Sequence, residues 1–150
     1  MRAVTIRQPW ATLIALGEKR FETRSWATKH RGAIAIHAGK AVDKKACAHP
    51  AIKTILSKHG YSAPNDLPIG AVIATGVLMD CWQSFTQEDQ VVLESAGRIK
   101  NITTFEECIG DYTEGRYAWE LDQMNILQKP IPAKGYLSLW NWDNIKVQKN

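Results

Sequence analysis

Two features are missing from this sequence, and each absence argues against a class of protein. Its apolar stretches, such as GAIAIHAG and GAVIATGVLM, are shorter than the roughly 18–20 residues that a membrane helix needs. The opening residues, MRAVTIRQPW, lack the apolar segment and the small-residue cleavage site of a signal peptide. We therefore expect a cytoplasmic protein with no membrane partner.

Cysteine is scarce, and its placement argues against both disulfides and zinc. The chain has three cysteines, Cys47, Cys81 and Cys108, which are far apart and include no CxxC pair. This pattern argues against a disulfide framework and a zinc site, and it fits a reducing compartment. Neither a GxGxxG motif nor a phosphate-binding loop is present. We expect no metal and no cofactor.

Composition and charge are those of an ordinary globular chain. Its 150 residues, 45% apolar and 23% charged, are enough for one hydrophobic core, so we expect a single domain over residues 1–150. The polar tail, residues 143–150, is expected to fray. The net charge of +4 and the pI near 9.0 permit an RNA or phosphate-bearing partner without requiring one.

The pattern of apolar residues, prolines and glycines predicts the fold class. The predicted helices run from Pro9 to Gly17, from Asp43 through a restart at Pro50 to Gly60, over Gln87–Ala96 after a Thr86 cap, and for one turn near Thr104–Cys108. The predicted strands are Ala3–Arg7, Glu18–Arg24, Gly32–Ala38, Ala71–Trp82, Tyr117–Asp122 and Tyr136–Trp142, with a further extended piece at Asn125–Pro132. About six strands with two to three flanking helices indicate an α+β fold, a small and mostly antiparallel β-barrel.

The charged stretch GEKRFETR, Gly17 to Arg24, is the first candidate for a site. On a strand, Glu22 and Arg24 point to the same face, and Lys19 can join them if the chain is still turning after Gly17. The alternative is a solvated hairpin with a weak ion pair worth under about 1 kcal/mol. Spacing alone leaves both interpretations open.

Tryptophan is abundant, with six residues in the chain. Trp10 and Trp26 flank the charged stretch, and Trp140 and Trp142 share one face of a predicted strand, so either that face or the opposite one meets solvent or a ligand. Aromatic rings beside basic groups bind single-stranded RNA, each stacked base contributing roughly 1–3 kcal/mol. The alternative is that tryptophan fills the core of a small barrel.

The segment that contains IHAGK adds three polar candidates. His37 and Lys40 lie where a predicted strand ends, a common position for site residues, and Arg31 lies where it begins. An arginine here could contact phosphate. The alternative for His37 is a buried structural histidine that binds no ligand.

Together these motifs resemble those of the ASCH domain family, which is PUA-like. GEKRFETR is a full match to the GxKxxExR signature of that family, and its context of VTIRQPWA, RSW, IHAGK and GYLSLWNW is also similar. The resemblance covers Met1–Lys40 well and Gly70–Trp142 loosely. It implies a PUA-like β-barrel with a cleft beside the signature turn, and RNA or modified-nucleoside binding as the broad role.

The resemblance also implies a possible chemistry. Some family members hydrolyse N4-acylated cytidines, with a signature lysine that activates a threonine three residues later, and a subgroup is ribonuclease-like. Lys19 matches that lysine, but Glu22 occupies the threonine position, and Thr23 is expected to point the other way. A glutamate from a later segment completes the family's site. Its equivalent here could be Asp80, Glu88 or Glu94.

Three hypotheses follow. The first is an RNA- or nucleotide-binding domain whose cleft is lined by Lys19, Glu22, Arg24, Trp26 and His37, with Trp10, Arg31 and Lys40 as further ligand-binding candidates. The second is a hydrolase acting on N4-acylated cytidine or on RNA, with Lys19 and Glu22 as catalytic residues. The third is a regulatory protein-interaction module whose basic face meets an acidic partner.

Overall fold

Eight strands, four short α-helices and one 3₁₀ turn make up residues 1–143, the part of the chain that the computed structural model describes. The strands are β1 (Arg2–Gln8), β2 (Phe21–Arg24), β3 (Gly32–Val42), β4 (Ala71–Gln87), β5 (Gln90–Ser95), β6 (Arg98–Asn101), β7 (Tyr117–Pro132) and β8 (Leu139–Asn141). The helices are α1 (Trp10–Ala15), α2 (Lys44–Cys47), α3 (Pro50–Lys58) and α4 (Thr104–Ile109), and the 3₁₀ turn is Pro64–Asp66. All but the first residue of the tail expected to fray, 143–150, lies outside the described residues.

The strands form one sheet in the order β2-β7-β4-β3-β1-β8, and β5 joins β4 and β6 beside this path. The β1–β3 pair is parallel and the other pairs are antiparallel. The predicted α+β class with a mostly antiparallel sheet is confirmed. Within residues 1–143, however, eight strands replace about six, four helices replace two to three, and no pairing joins β2 to β8 to close a barrel.

The helix predicted over Gln87–Ala96 is wrong, because this segment is strand β5. Glu88 and Asp89 have φ values of +51° and +62°, so they form a tight turn that reverses the chain from β4 into β5. Leu93 on β5 is fully buried in a cluster with Phe21 and Trp82. This burial and the β-branched pair next to it override the local capping signal.

The other predicted helix starts are confirmed. Helix α1 follows Pro9, and the chain turns out of it at Gly17, whose φ is +76°. The Asp43 carboxylate accepts a hydrogen bond from the Ala46 amide and caps α2, and Pro50 begins α3. The strand bounds are less accurate: β7 is one continuous strand where two pieces were expected, and β2 and β8 are short.

The largest hydrophobic cluster joins α1 to strands β1, β3, β4 and β7. A second cluster packs α1 against the other three helices. Trp140 and Trp142 are buried in a third cluster with Ala3, Ala35 and Val72. Leu139, on the other face of β8, packs against the largest cluster, so the expectation that one face of YLSLWNW meets solvent or a ligand is wrong for β8. Leu137, which precedes β8, is 93% exposed. In residues 1–143, no helix is both long and apolar enough to cross a membrane.

Candidate functional site

A cleft opens where β1 and β2 approach the end of α4, and we name it the signature cleft. Its volume is about 670 Å³. Its wall combines four basic and two acidic side chains with aromatic, thiol, hydroxyl and backbone surface. The lining residues are Thr5, Ile6, Arg7, Trp10, Lys19, Glu22, Thr23, Arg24, Cys108, Ile109, Gly110, Asp111 and Arg116.

The turn after α1 brings Lys19 into this wall. The amides of Glu18 and Lys19 both donate to the carbonyl of Leu13, so the chain folds back under the helix. The Lys19 side chain is only 2% exposed, and its ammonium donates a hydrogen bond to the Phe21 carbonyl. The signature lysine is thus a buried group with a fixed position.

Two carboxylates partly neutralise the buried positive charge of Lys19. Burial lowers the pKa of Lys19 below its ordinary value, while the negative charges of Glu22 and Glu106 act in the opposite direction. Glu106 lies on α4 and accepts hydrogen bonds from the Arg20 amide and, at 3.4 Å, from the Tyr112 hydroxyl. Burial raises the pKa of Glu106, and the nearby Lys19 counters this rise.

Glu22 and Arg24 form the ion pair that their spacing on the strand predicts, with Arg24 Nη2 3.0 Å from Glu22 Oε2. The same Arg24 nitrogen donates a 2.7 Å hydrogen bond to the carbonyl of Thr5 on β1. Strand β8 pairs with Arg2, Ala3 and Val4, so this contact lies just beyond the part of β1 that pairs with β8. A side chain, rather than a backbone ladder, therefore connects β2 to β1.

The outer wall of the signature cleft carries a cation stacked on an aromatic ring. The Arg7 guanidinium carbon lies 5.2 Å from the centroid of the Trp10 ring. The Trp10 indole N–H donates a 2.9 Å hydrogen bond to the Ile109 carbonyl, which fixes the ring against α4. Opposite, Arg116 pairs with Asp111 at 3.4 Å and donates to the Thr23 carbonyl.

A second cavity, which we name the histidine cleft, lies on the other side of Arg24. His37 Nε2 is 2.7 Å from the Ala133 carbonyl and therefore carries the proton of that hydrogen bond, since a carbonyl can only accept. His37 Nδ1 is buried and has no hydrogen-bond partner among residues 1–143. Lys40 is exposed at the rim of this second cavity.

Comparison with known proteins agrees with the signature motif. The family model of the ASCH domain matches residues 4–131 of this chain. The chain belongs to the ASCH domain family. Activating signal cointegrator 1 of Homo sapiens and that of Mus musculus are each 38% identical to it over 80 residues. The aligned part is 52% of this chain but only 14% of each cointegrator, so the chain spans a small fraction of these relatives.

The predicted site residues of this ASCH domain fall into three groups. Lys19, Glu22, Arg24 and Trp10 meet in the signature cleft, and His37 and Lys40 line the histidine cleft together with Arg24. Trp26 lies outside both clefts and packs edge-on against Trp119 with ring centroids 4.8 Å apart.

Arg31 lies in a different charged cluster, away from both clefts. It is 3.4 Å from Asp80, which also pairs with Arg98 and accepts a hydrogen bond from Ser95. Burial opposes ionisation of Asp80, but the Cys81 amide, Arg98 and Ser95 together hold the pKa of its carboxyl below the ordinary value. Arg31, which immediately precedes β3, is therefore part of an ion network with residues of β4, β5 and β6.

None of the three later carboxylates that the sequence suggested faces Lys19. Asp80 belongs to the Arg31 cluster, Glu88 lies in the β4–β5 turn, and Glu94 accepts from the Gly97 amide. Glu106 takes that position instead. The only local signal for it is the T-x-x-E pattern from Thr103, which is typical of a helix cap. Thr103 does cap α4, but the Glu106 side chain turns toward Arg20.

Proposed function

We propose that this ASCH domain binds single-stranded RNA, or a modified nucleoside within it, in the signature cleft. Membership of the ASCH family supports an RNA-related role. The observation that carries the proposal is the chemistry of the cleft wall, where Arg7 lies over Trp10 beside the fixed Glu22–Arg24 pair. Splayed bases stack on guanidinium and aromatic planes and hydrogen-bond through their edges to side chains of this kind.

Arg7 is the cation best placed to meet RNA. The other arginines of the cleft, Arg24 and Arg116, are each paired with a carboxylate. Among residues 1–143, no carboxylate forms a salt bridge with Arg7, whose side chain is exposed. It therefore offers both a stacking plane and an uncompensated charge to a nucleotide.

Binding of a short fluorescent single-stranded RNA, followed by anisotropy at several salt concentrations, tests this proposal. Wild-type affinity should fall as salt rises, because phosphate binding releases counterions. Arg7→Ala should weaken binding about ten-fold, within the range for one lost stacking contact, and should flatten the salt dependence. Arg20→Ala is the matched control, since Arg20 is exposed, pairs with Asp122 and lines neither cleft. Equal affinities of the wild type and Arg7→Ala would remove the signature cleft from RNA binding.

A second candidate function is hydrolysis of an N4-acylated cytidine, as the family resemblance implies. The observation that favours it is a buried lysine of lowered pKa next to Glu22 in the cleft wall. Glu22 would take a proton from water, and the resulting oxygen would attack the acyl carbon. The ammonium of Lys19 would stabilise the negative oxygen that forms there. The C–N4 bond would then break, with the proton passing to N4, to give cytidine and the free acid.

Incubation of N4-acetylcytidine with the protein, followed by chromatography, tests the second candidate. Wild type should release cytidine, and Glu22→Gln, which keeps the side-chain shape, should release none. Glu18→Gln alters a half-buried carboxylate of the same turn that lines neither cleft, and it should react like the wild type. Absence of cytidine from the wild-type reaction would contradict this activity while leaving RNA binding to its own test.

A further inference from the structure

The histidine cleft has a chemical character of its own. Its volume is about 1020 Å³, and it lies between the ends of β1 and β3 and the segment that follows β7. Within the described residues, its charged side chains, Arg24, Lys40 and Lys134, are all basic and no carboxylate lines it. The lining residues are Thr5, Arg24, His37, Gly39, Lys40, Gly70, Pro132, Ala133, Lys134, Gly135, Tyr136, Leu137 and Ser138. An anionic ligand with apolar faces fits this combination.

The two clefts are neighbours along the part of β1 that extends beyond its pairing with β8. They share Thr5 and Arg24, and the hydrogen bond from Arg24 Nη2 to the Thr5 carbonyl forms their common wall. A chain molecule that leaves one cleft across this wall enters the other without crossing the protein core. The histidine cleft is thus continuous with the proposed RNA site.

Tyr136 presents an aromatic ring at the rim of the histidine cleft. Its side chain is 56% exposed, and its ring meets Trp140 edge-on with the centroids 5.5 Å apart. The Lys134 ammonium lies 5.7 Å from the Tyr136 centroid. The ring is therefore held by the core on one side and accompanied by a cation, which are the two components of single-strand binding surfaces.

His37 fixes the segment that carries this ring. Its Nε2–H bonds the Ala133 carbonyl, at the start of the segment. Gly135 passes so close to the histidine that an added Cβ would lie 2.7 Å from His37 Cε1 and from Thr5 Oγ1. Only glycine fits there without displacing these atoms, so His37 acts as a positioning residue for Lys134 and Tyr136.

We infer that the histidine cleft is a second nucleotide subsite, occupied by the neighbour of the nucleotide in the signature cleft. The base packs against Tyr136, and Lys40 and Lys134 contact the phosphate. This inference rests on the proposed RNA binding and deepens it, since it makes a strand of at least two nucleotides the ligand. Charge complementarity requires an anionic occupant, and the exposed Tyr136 ring together with the shared Arg24 wall favours a nucleotide over an acidic peptide.

Affinities for a fluorescent mononucleotide and a fluorescent tetranucleotide RNA test the inference. The wild type should bind the tetranucleotide about ten-fold or more tightly than the mononucleotide, because the second base stacks. Tyr136→Ala and Lys134→Ala should remove most of this difference, because each weakens binding of the tetranucleotide more than binding of the mononucleotide. Lys134→Ala should also reduce the slope of log affinity against log salt by about 0.7, the value for one phosphate on a single strand.

Phe85→Ala and Lys58→Ala serve as matched controls, since both side chains are exposed and lie outside the two clefts. The second subsite would be overturned if Tyr136→Ala and Lys134→Ala bound the tetranucleotide as tightly as the wild type does. If Arg7→Ala still bound weakly in the same experiment, the proposed function would stand. No binding of either ligand by the wild type would overturn both. The assignment to a nucleotide would also be contradicted if an acidic peptide displaced the tetranucleotide and Tyr136→Ala left the tetranucleotide affinity unchanged.

Discussion

A lysine that is 2% exposed requires anionic partners, and here they come from two elements, Glu22 on β2 and Glu106 on α4. The first partner follows from the signature spacing and could be predicted from the sequence. The second is far along the chain and reaches Lys19 only because the helices pack together around Leu13 and Ile109. The local sequence pattern identifies one anionic partner of Lys19, Glu22, and tertiary packing supplies the other, Glu106.

The pH dependence of stability reports on this buried lysine. Because the pKa of folded Lys19 lies below its ordinary value of 10.5, the unfolded chain holds the proton more tightly between the two pKa values. The free energy of unfolding therefore gains a rising contribution as pH increases through that window. Lys19→Met should lack this contribution, and it should cost about 3–5 kcal/mol near neutral pH because Glu106 loses its cation.

Urea unfolding of both proteins between about pH 8 and pH 10 measures this difference. Burial raises the pKa of Tyr112, so the ionisation of this group in the unfolded chain lowers the free energy of unfolding at higher pH. This effect sets the upper end of the pH range of the measurement. The double variant Lys19→Met/Glu106→Gln removes both charges, so it should regain part of the lost stability and still lack the rise. Parallel pH profiles of the wild type and the double variant would contradict a buried lysine of lowered pKa.

At the scale of elements, the sequence predicts secondary structure correctly where a single local signal is present and incorrectly where two local signals conflict. Two prolines and an aspartate cap are sufficient to place the starts of α1, α2 and α3. The segment after β4 carries a capping residue followed by β-branched residues, and the burial of Leu93 decides for a strand. The closeness of β2 to β1 had no local signal, because a single arginine makes that contact.

The β4–β5 turn allows a test in which a hairpin and a helix predict opposite changes in the free energy of unfolding. Glu88 and Asp89 both have left-handed backbone, which asparagine and glycine adopt more easily. Glu88→Asn/Asp89→Gly should therefore raise the free energy of unfolding by about 1 kcal/mol. In a helix the added glycine would lower it by about the same amount. Lys53→Gly, at an exposed position of α3, shows that helix penalty in the same urea experiment, and a loss of stability in the turn variant would refute the hairpin.

At the scale of the whole molecule, two of the surfaces that combine cations with aromatic rings differ in whether carboxylates pair with those cations. One is the signature cleft, and the other is the β5–β6 face, where Arg98 and Lys100 lie 5.0 Å and 5.5 Å from the Trp82 ring centroid. The cations of that face are both engaged, Arg98 by Asp80 and Lys100 by Glu120. The motif resemblance predicts the signature cleft as the RNA site, and the tertiary ion pairs add that, among residues 1–143, its Arg7 has no carboxylate partner whereas Arg98 and Lys100 each have one.

Amide chemical-shift mapping of the isotope-labelled protein, titrated with a short single-stranded RNA, is the most direct test of where RNA binds. RNA bound as proposed should give its largest shifts in the signature cleft, at Arg7, Thr23, Gly110 and Asp111. Smaller shifts should continue across Arg24 toward the histidine cleft. Shifts concentrated on β5 and β6 around Arg98 and Lys100 would contradict binding in the signature cleft and assign RNA to the β5–β6 face.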